Sequence, residues 1–505
     1  MSPVDAALLR IHPTDNVGVA RNRLTAGTKL LQGRLTTDIP AGHKVALTAI
    51  AAGEPVRKYG FVIGVASRPI AAGEHVHEHN VRSRLGADTA LDYPGKPVPA
   101  PDDAAVDLGP ATFKGYLRPD GRAATRNEIW IINTVACVNV PAERIARLAT
   151  EQFAGPGSGI DAIRSFSHPY GCSQLGDDLK HTQQILAGLA RHPNAAGVLV
   201  LGLGCENNQL RQQLDRIGAA TPGRIEYFNA QEVGDEIEEG VARIGRLAAQ
   251  AARFQRQELP VSQLVLGMKC GGSDGFSGIT ANPVVGRVTD WLTAAGGTAV
   301  LTEVPEMFGA EEALLGRCAD ADVFAAGVEM INAFKAYFRR HGEPIGENPS
   351  PGNRAGGITT LEDKSLGCVQ KGGRATVKQI AGYGDPVTPG LGGLALVNAP
   401  GNDGVSCTAL AAAGAHAILF TTGRGTPLGV PVPTIKIASN ADLARRKANW
   451  IDFDASPVLD PQHPIDDVAR NLIAATVAIA SGEKPARNES NGFSEIALWK
   501  HGVTL

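Results

Sequence analysis

The sequence has few aromatic residues and no long apolar run. Aromatic residues make up 5% of the 505-residue chain, which argues against an aromatic-rich binding surface. No apolar run reaches the roughly 20 residues that a membrane-spanning helix needs. The start, MSPVDAALLRIHPTDN, lacks the charged and apolar segments of a signal peptide. We therefore expect a cytoplasmic protein with no membrane contact.

Neither sign of charge is in excess. The chain carries 48 Lys and Arg against 51 Asp and Glu, a net charge of −3. This balance provides no basic footprint for nucleic acid and no polybasic segment for a lipid surface. We expect a small-molecule ligand, and a homo-oligomer rather than a nucleic-acid or membrane complex.

Cysteine spacing excludes two common structural devices. The 7 cysteines are odd in number, dispersed and without a C-x-x-C pair, so neither a disulfide framework nor a zinc ribbon is predicted. Glycine is abundant, with 60 residues. That abundance predicts many tight turns and close approaches of backbone to ligand.

The chain is too long for one hydrophobic core, and its patterning changes along its length. Short apolar runs between turn signals predict a small β-rich domain over 1–90, followed by a linker over 91–110. Apolar strands then alternate with amphipathic helices, which predicts a middle α/β domain over 111–258 and a C-terminal one over 259–505. The predicted fold class is thus α/β with mostly parallel sheets behind a small β-rich domain.

Three cysteines occupy glycine-rich turns that follow strand-like runs. Cys172 lies in SHPYGCSQLGDD, Cys205 in VLVLGLGCENNQ and Cys270 in LVLGMKCGGSDGF. Their thiolates could bind iron, as one ion or as a cluster with one open iron, and an open iron suits a dehydratase. The alternative is that they are ordinary small buried residues. The turns alone do not decide between the two.

Histidines in the N-terminal segment offer further metal ligands. His12 lies in IHPTDN and His43 in PAGHKVAL, and neutral imidazole suits iron or manganese. His75, His77 and His79 share one face if HVHEHN is a strand. The polar character of that segment favours a solvated edge instead.

Several polar residues could bind a sugar-acid carboxylate. Arg424 stands between glycines in TTGRGTPLG, and arginine binds carboxylates in bidentate fashion. The turn-rich stretch 342–373 is interpreted as a long functional loop. It and the turn after Cys270 supply the other candidates, which are Asn348, Asn353, Arg354, Glu362, Lys364, Ser273 and Asp274.

Long segments of the chain resemble the altronate/galactarate dehydratase family. The resemblance is carried by TDNVGVA, HPYGCSQLGDD, GLGCENN, CGGSDGFSGITANP, TEVPEMFGAE and NPSPGNRAGGITTLEDKSLG, and it runs from about residue 10 to the C-terminal HGVTL. Within the family, SQLGDD, EVPEMFGAE, WIDFDA and GVTL resemble the altronate branch. The family also contains galactarate dehydratase and sulfolactate sulfo-lyase, which stay open as alternatives, as does a non-catalytic sugar-acid-binding protein.

The resemblance implies a reaction and a metal. The small domain would be of the SAF type, shared with antifreeze proteins and sialic acid synthases. The reaction would convert D-altronate to 2-dehydro-3-deoxy-D-gluconate and water, with ferrous iron required and manganese assisting. Loss of the C2 proton and of the C3 hydroxyl needs acid and base groups, for which His168, Lys364, His43 and Glu362 are the candidates. Arg424 or Arg354 would hold the substrate carboxylate.

Overall fold

The computed structural model describes residues 2–5, 7–30, 34–86, 88–95, 107–219 and 222–505. Most of the predicted linker, residues 96–106, lies outside these residues. In the part of the chain that the structure describes, no helix is both long and apolar enough to cross a membrane. The predicted fold class is confirmed: a small β-rich region precedes two α/β regions with parallel sheets.

The N-terminal β region consists of two antiparallel sheets. Their orders are β1-β2-β3-β4-β7 and β5-β6-β8. The similar units PAGHKVAL and AAGEHVH pair with each other, because Val45 of one lies opposite His75 of the other. The strands are β1 Ser2–Asp5, β2 Leu8–Arg10, β3 Val17–Ala20, β4 Lys44–Ala46, β5 Pro55–Lys58, β6 Phe61–Ala66, β7 His75–Val76 and β8 Val81–Arg82.

The middle α/β region is built on a parallel sheet of order β12-β11-β13-β14. Its strands β11 and β13 are buried along their whole length, as expected of strands covered on both faces. A small antiparallel sheet, β10-β9-β15, flanks it in the chain. The strands are β9 Thr112–Leu117, β10 Ala123–Ala124, β11 Glu128–Asn133, β12 Ile163–Phe166, β13 Ala195–Gly202, β14 Ile225–Asn229 and β15 Arg256–Pro260, and the helices are α1 Asn139–Phe153, α2 Gly176–Arg191, α3 Leu210–Ile217 and α4 Glu236–Ala251.

The C-terminal α/β region contains a seven-stranded parallel sheet of order β18-β19-β17-β16-β20-β21-β22. From β16 the chain builds one half of the sheet with β17, β18 and β19. It then crosses to the other side of β16 and builds the second half with β20, β21 and β22. The carboxyl edge at β16 is therefore a topological switch point, where open parallel sheets bind ligands. The strands are β16 Val265–Cys270, β17 Thr298–Leu301, β18 Val377–Ala381, β19 Gly393–Val397, β20 Ala417–Thr422, β21 Thr434–Ala438 and β22 Phe453–Asp454.

Helices cover this sheet. They are α5 Ala281–Ala294, α6 Glu311–Leu315, α7 Ala321–Arg340, α8 Pro351–Ala355, α9 Leu361–Cys368, α10 Asp403–Ala412, α11 Ala441–Arg446, α12 Ile465–Ala480 and α13 Arg487–Ser490. The prediction of a long loop over 342–373 is wrong in part, because α8 and α9 lie within it. Both begin at capped residues, Ser350 and Thr360, whose hydroxyls accept from backbone N–H groups.

Candidate active site

A cavity of about 1100 Å³ opens at the carboxyl edge of the C-terminal sheet. The turn Gly271–Gly272 after β16, Glu306 after β17 and Asn402 after β19 form one part of its wall. Residues 347–355 and Lys364 form another. The N-terminal β region adds His77 and Glu78. Three separate parts of the chain thus converge on one polar cavity large enough for a small organic acid.

A buried group of two thiols and a carboxylate lies at this cavity. The Sγ atoms of Cys270 and Cys368 are 3.1 Å apart, and both cysteines are free. Oε2 of Glu306 lies 3.3 Å from Sγ of Cys270 and 3.0 Å from Sγ of Cys368. The three side chains are buried, with donor atoms within 4.8 Å of one another. Two soft sulfurs and one oxygen around one point can hold a divalent metal ion.

Buried lysines surround this group. Nζ of Lys371 donates to Sγ of Cys270 at 2.9 Å, and Nζ of Lys364 lies 2.7 Å from Oε1 of Glu306. Behind them Lys269 pairs with Glu303 and, at 2.9 Å, with Asp403. Buried charges persist only when paired in this way.

The charges fix the ionisation of the group. The hydrogen bond with Cys368 and the charge of Lys371 together lower the pKa of Cys270 to about 6 despite burial. Burial would raise the pKa of Glu306, but Lys364 and other lysines hold it below the ordinary value. Burial would lower the pKa of Lys364, but the carboxylate of Glu306 raises it above the ordinary value. At neutral pH the cavity therefore presents a thiolate, a carboxylate and an ammonium group.

Glu303 positions the strand-end residues around Cys270. Its backbone adopts a left-handed conformation with φ of 70°, which is unusual for a residue other than glycine and costs about 1–3 kcal/mol. Its Oε2 accepts from the backbone N–H of Cys270 at 3.1 Å. The strained turn after β17 is thus tied to the end of β16.

Amide and guanidinium groups line the part of the cavity formed by residues 347–355. Nζ of Lys364 donates to Oδ1 of Asn348 at 3.1 Å. Arg354 donates from Nε to the carbonyl of Pro349 and from Nη1 to Glu78 at 2.9 Å. Asn353 lines the same wall and donates to the carbonyl of Ser273 at 2.8 Å. Such fixed donors are suited to a carboxylate and hydroxyl groups.

A buried ion triad docks the N-terminal β region against α9. Oδ2 of Asp363 lies 2.8 Å from Nζ of Lys44, and its Oδ1 lies 3.1 Å from Nζ of Lys58. Burial would raise the pKa of Asp363, but the two lysines hold it below the ordinary value. Because Asp363 precedes Lys364, the triad also fixes the cavity lysine.

Four histidines gather beside the cavity. Nδ1 of His43 lies 3.0 Å from Nε2 of His75, and the ring of His75 is 5.5 Å from that of His77 and 5.4 Å from that of His79. Burial lowers the pKa of His43, that of His75 to about 3 and that of His77 to about 4. The expected solvated edge is therefore wrong for His75 and His77, which are half-buried. Of the four, only His77 lines the cavity.

Two of the predicted acid/base candidates lie elsewhere. His168 is buried in the middle region, where Nε2 donates to the carbonyl of Asn133 at 2.9 Å and Nδ1 accepts from the N–H of Tyr170. Glu362 accepts from the N–H of Arg84 at 2.7 Å and lines a separate cavity of about 520 Å³. Lys364 is the predicted acid/base candidate that the structure places on the wall of the main cavity.

Some of the remaining predicted ligand-binding residues line the cavity, and others stabilise the turn behind it. Asn348, Asn353 and Arg354 line the cavity. Asp274 supports the turn instead, because its Oδ1 accepts from Ser277 and Ser439. The hydroxyl of the neighbouring Ser273 is buried and has no hydrogen-bond partner.

Two predicted residues are exposed and do not line the cavity. Arg424 is anchored through its backbone N–H to Gly272, at 2.9 Å. His12 contacts the hydroxyl of Thr14 at 2.8 Å. Neither reaches the thiol and carboxylate group in this structure.

The structure does not bring Cys172, Cys205 and Cys270 together. Cys270 ends β16 and is buried, whereas Cys172 and Cys205 follow β12 and β13 of the middle sheet and are exposed. The cysteine that joins Cys270 is Cys368, the last residue of α9. Sequence reasoning missed Cys368, Lys371 and Glu303. The signal available was the carboxylate pair in TEVPE directly after a buried strand.

A second group of side chains could approach a cation. Donor atoms of Asp178, His181 and His501 lie within 4.8 Å of one another. Both oxygens of Asp178 already accept from the N–H groups of His501 and Gly502. This carboxylate anchors the C-terminal tail to α2, away from the main cavity.

Three family models match the chain in succession. The model described as "Altronate/galactarate dehydratase SAF domain" matches residues 6–84. "D-galactarate dehydratase/Altronate hydrolase, second domain" matches residues 115–252, and "D-galactarate/Altronate dehydratase, C-terminal" matches residues 261–504.

Three relatives match the chain over nearly its whole length. The chain is 46% identical to an altronate dehydratase of Bacillus subtilis (strain 168), over 99% of this chain and 100% of the relative. It is 46% identical to an altronate dehydratase of Escherichia coli (strain K12), over 98% and 99%. A galactarate dehydratase (L-threo-forming) of the same bacterium is 32% identical over 97% of this chain and 95% of the relative.

Proposed function

The chain belongs to the altronate/galactarate dehydratase family, and on that basis we propose that it removes water from D-altronate to give 2-dehydro-3-deoxy-D-gluconate. The family resemblance predicted from its motifs is confirmed, and the chain is a hydro-lyase. The higher identity to the altronate enzymes than to the galactarate enzyme supports altronate as the substrate. The observation that carries the proposal is the polar cavity with its buried Lys364, Glu306 and Cys270.

The wall formed by residues 347–355 and Lys364 would bind the substrate. Arg354 offers a forked donor to the carboxylate, and Asn348 and Asn353 offer amides to the carboxylate or hydroxyl groups. Arg424, the other predicted carboxylate ligand, is exposed and is not on the cavity wall. We therefore assign the carboxylate to Arg354.

Lys364 would act on the leaving hydroxyl. Its pKa is raised by Glu306, so it is an ammonium group at neutral pH and can donate a proton to the C3 oxygen as the bond to carbon breaks. His77 would accept the C2 proton. Its pKa is lowered by burial, so its imidazole is neutral, and it lies on the cavity wall. Of the four acid/base candidates that the sequence offered, we thus keep Lys364 as the acid, and we assign the base to His77 in place of His168, His43 and Glu362.

Cys270, Cys368 and Glu306 fit the ferrous ion that the family implies. Their donor atoms lie 3.0–3.3 Å apart around one point, and a thiolate and a carboxylate are already ionised there. Two sulfur donors favour iron over manganese, which prefers oxygen. A ferrous ion bound at this point would supply a Lewis acid for the negative charge that develops when the C2 proton leaves.

We also propose the domain boundaries of the chain and the compartment in which the protein works. The ranges of the three family models support separate domains over 1–90, 111–258 and 259–505. Free cysteines, all seven of them, fit the reducing cytoplasm. We keep the expectation of a homo-oligomer, which sedimentation of the purified protein tests.

An anaerobic assay with ferrous iron tests the proposed reaction. D-altronate, galactarate and sulfolactate are offered in parallel, and the 2-oxo acid product and released sulfite are measured. We expect a 2-oxo acid from D-altronate at the highest kcat/KM. Release of sulfite from sulfolactate, or a higher kcat/KM on galactarate, would show that another substrate of the family is the preferred one. If none of the three compounds gave a product, the protein would be a sugar-acid-binding protein and not an enzyme.

A further inference from the structure

Three cysteines outside the cavity stand at neighbouring strand ends. Cys137 follows β11, Cys172 follows β12 and Cys205 follows β13, and all three thiols are free and exposed. Because β12 and β13 pair with β11 on its two sides, the three turns adjoin at one edge of the middle sheet. The other four cysteines of the chain are buried. Exposed thiols grouped in this way are unusual, since exposure invites oxidation.

Hydrogen bonds join the three turns into one surface. The N–H of Ala136 donates to the carbonyl of Tyr170, and the N–H of Asn208 donates to the carbonyl of Gly171, each at 2.9 Å. The N–H of Ser173 donates to Oδ1 of Asn207 at 2.7 Å. Each cysteine is therefore at most three residues from a bond to a neighbouring turn.

The backbone bends sharply next to two of the cysteines. Gly171 and Ser173, on either side of Cys172, have φ values of 103° and 57°, and Gly204 before Cys205 has 128°. Side chains hold these bends, because the N–H groups of Gly171, Ser173 and Gly204 donate to Gln174, Asn207 and Glu206. Ser173 adopts a left-handed conformation without being glycine, at a cost of about 1–3 kcal/mol. The tight turn is thus held in place against strain.

Apolar side chains border the cysteines. Val140 lies three residues after Cys137, and Leu175 three residues after Cys172, and both are exposed. The C-terminal tail adds exposed Val503 and Leu505, and the N–H of Leu505 donates to the carbonyl of Ser173 at 3.0 Å. Exposed apolar side chains are therefore near Cys137 and Cys172 in the chain, and the C-terminal tail is bonded to the Cys172 turn.

We propose that Cys137, Cys172 and Cys205 hold an iron–sulfur cluster with one iron free of a cysteine ligand. Their sulfur atoms do not all lie within 4.8 Å of one another, unlike the donor atoms of Cys270, Glu306 and Cys368. One ion would require the closer spacing, whereas a cluster binds each thiolate at a separate iron. The iron without a cysteine can take an oxygen ligand, such as a carboxylate or hydroxide. This centre lies on a different sheet from the cavity.

Iron and sulfide analysis of the full chain tests the proposal. The protein is purified without oxygen and reconstituted with ferrous iron and sulfide, and iron, acid-labile sulfide and visible absorption are measured. We expect sulfide and thiolate-to-iron absorption in the native protein. Cys137→Ser, Cys172→Ser and Cys205→Ser should each retain the cluster at least about tenfold less well, since even changes behind a ligand cost that much. Far-UV circular dichroism checks that these surface variants stay folded.

Two controls separate this site from the cavity. Cys318→Ala removes a buried cysteine elsewhere and should keep sulfide and absorption. Cys270→Ser should also keep them, although it alters the cavity. Iron bound without sulfide in the native protein, or full sulfide in the three surface variants, would overturn the proposal. So would loss of the absorption in Cys270→Ser alone.

Discussion

Sγ of Cys270 and Sγ of Cys368 lie 3.1 Å apart although 98 positions separate the two residues in the chain. One ends a strand and the other ends a helix, and both touch Oε2 of Glu306. The contact joins the carboxyl edge of the C-terminal sheet to the segment that carries Lys364. It makes a buried set of donor atoms at the wall of the cavity.

Replacing either sulfur should empty the proposed metal position. We expect Cys270→Ser and Cys368→Ser to lose the mononuclear ferrous ion and to lower kcat/KM on D-altronate about 100-fold or more, because a hard hydroxyl replaces a soft thiolate and charge stabilisation is lost. Iron analysis of protein loaded with ferrous iron in the absence of sulfide measures the bound ion, and anaerobic kinetics measures kcat/KM. Cys318→Ala is the matched control. Full activity in both serine variants would remove the thiols from catalysis.

Removing the cavity ammonium should stop proton donation. We expect Lys364→Met to lower kcat by about 100- to 10,000-fold. It should also lower the free energy of unfolding by up to about 3–5 kcal/mol, because Glu306 loses its partner. Lys335→Met is the control, since it breaks another buried pair, with Glu311 at 2.9 Å. A similar loss of stability with normal kcat in Lys335→Met isolates the catalytic effect. Equal kcat losses in both variants would mean that Lys364 is only structural.

A lysine cannot reproduce the forked donor of Arg354. We expect Arg354→Lys to raise KM for D-altronate about tenfold, with a small change in kcat, because a bidentate contact is worth roughly 1–2 kcal/mol more than a point charge. Steady-state kinetics measures the two parameters. Arg445→Lys, at an exposed arginine paired with Asp442, is the control and should leave KM unchanged. An unchanged KM in Arg354→Lys would move the carboxylate to another group, such as Arg424.

The histidine group should make the native state sensitive to acid. The folded pKa values of His75 and His77 lie at about 3 and about 4, below the ordinary 6.5. Between each folded pKa and 6.5, the unfolded chain binds more protons than the folded protein does. The free energy of unfolding is therefore highest above about pH 6.5 and falls as the pH drops. For half-buried His77 we expect a loss of ~1–2 kcal/mol between pH 7 and pH 4.5.

Thermal unfolding at the two pH values measures this loss. His77→Gln should flatten the dependence, because glutamine cannot be protonated. His463→Gln, at an exposed histidine, should leave the dependence as it is. A native-like slope in His77→Gln would assign the acid sensitivity to other groups.

The ion triad should hold the N-terminal β region in place. Asp363→Asn leaves Lys44 and Lys58 buried beside a neutral amide, at a cost of about 3–5 kcal/mol. We expect a lower unfolding temperature and faster proteolysis near residues 84–95. Asp38→Asn, which breaks the exposed pair with Arg23, should leave the unfolding temperature nearly unchanged, because solvent screens that pair. Equal effects in the two variants would argue against the triad as the anchor.

Local patterns in the sequence were sufficient for most of the fold. Buried strands such as β11 and β13 are continuous apolar runs, and helices such as α1 and α2 show the amphipathic period, so both kinds were predicted. Strand β14 was not predicted, because IEYFN is short and only partly buried. Strand β15, which follows α4, is likewise short and mostly exposed, so its local pattern gives little signal.

The site was less accessible to sequence reasoning. Cys270 was identified from its strand-end turn, but its partner Cys368 lies in a helix inside a stretch interpreted as a loop. Nothing in the local pattern connects two residues so far apart in the chain. The histidines of HVHEHN look solvated in isolation, and their burial arises from the neighbouring His43 and the segment 355–359.

The kinetics of D-altronate dehydration in the native protein and in Lys364→Met and Lys335→Met test the central claim most directly. The claim is that the cavity around Cys270, Glu306 and Lys364 is the dehydratase site. It predicts rapid formation of the 2-oxo acid by the native protein and Lys335→Met, and a loss of about 100-fold or more in Lys364→Met. Native rates in Lys364→Met, with iron bound, would contradict it.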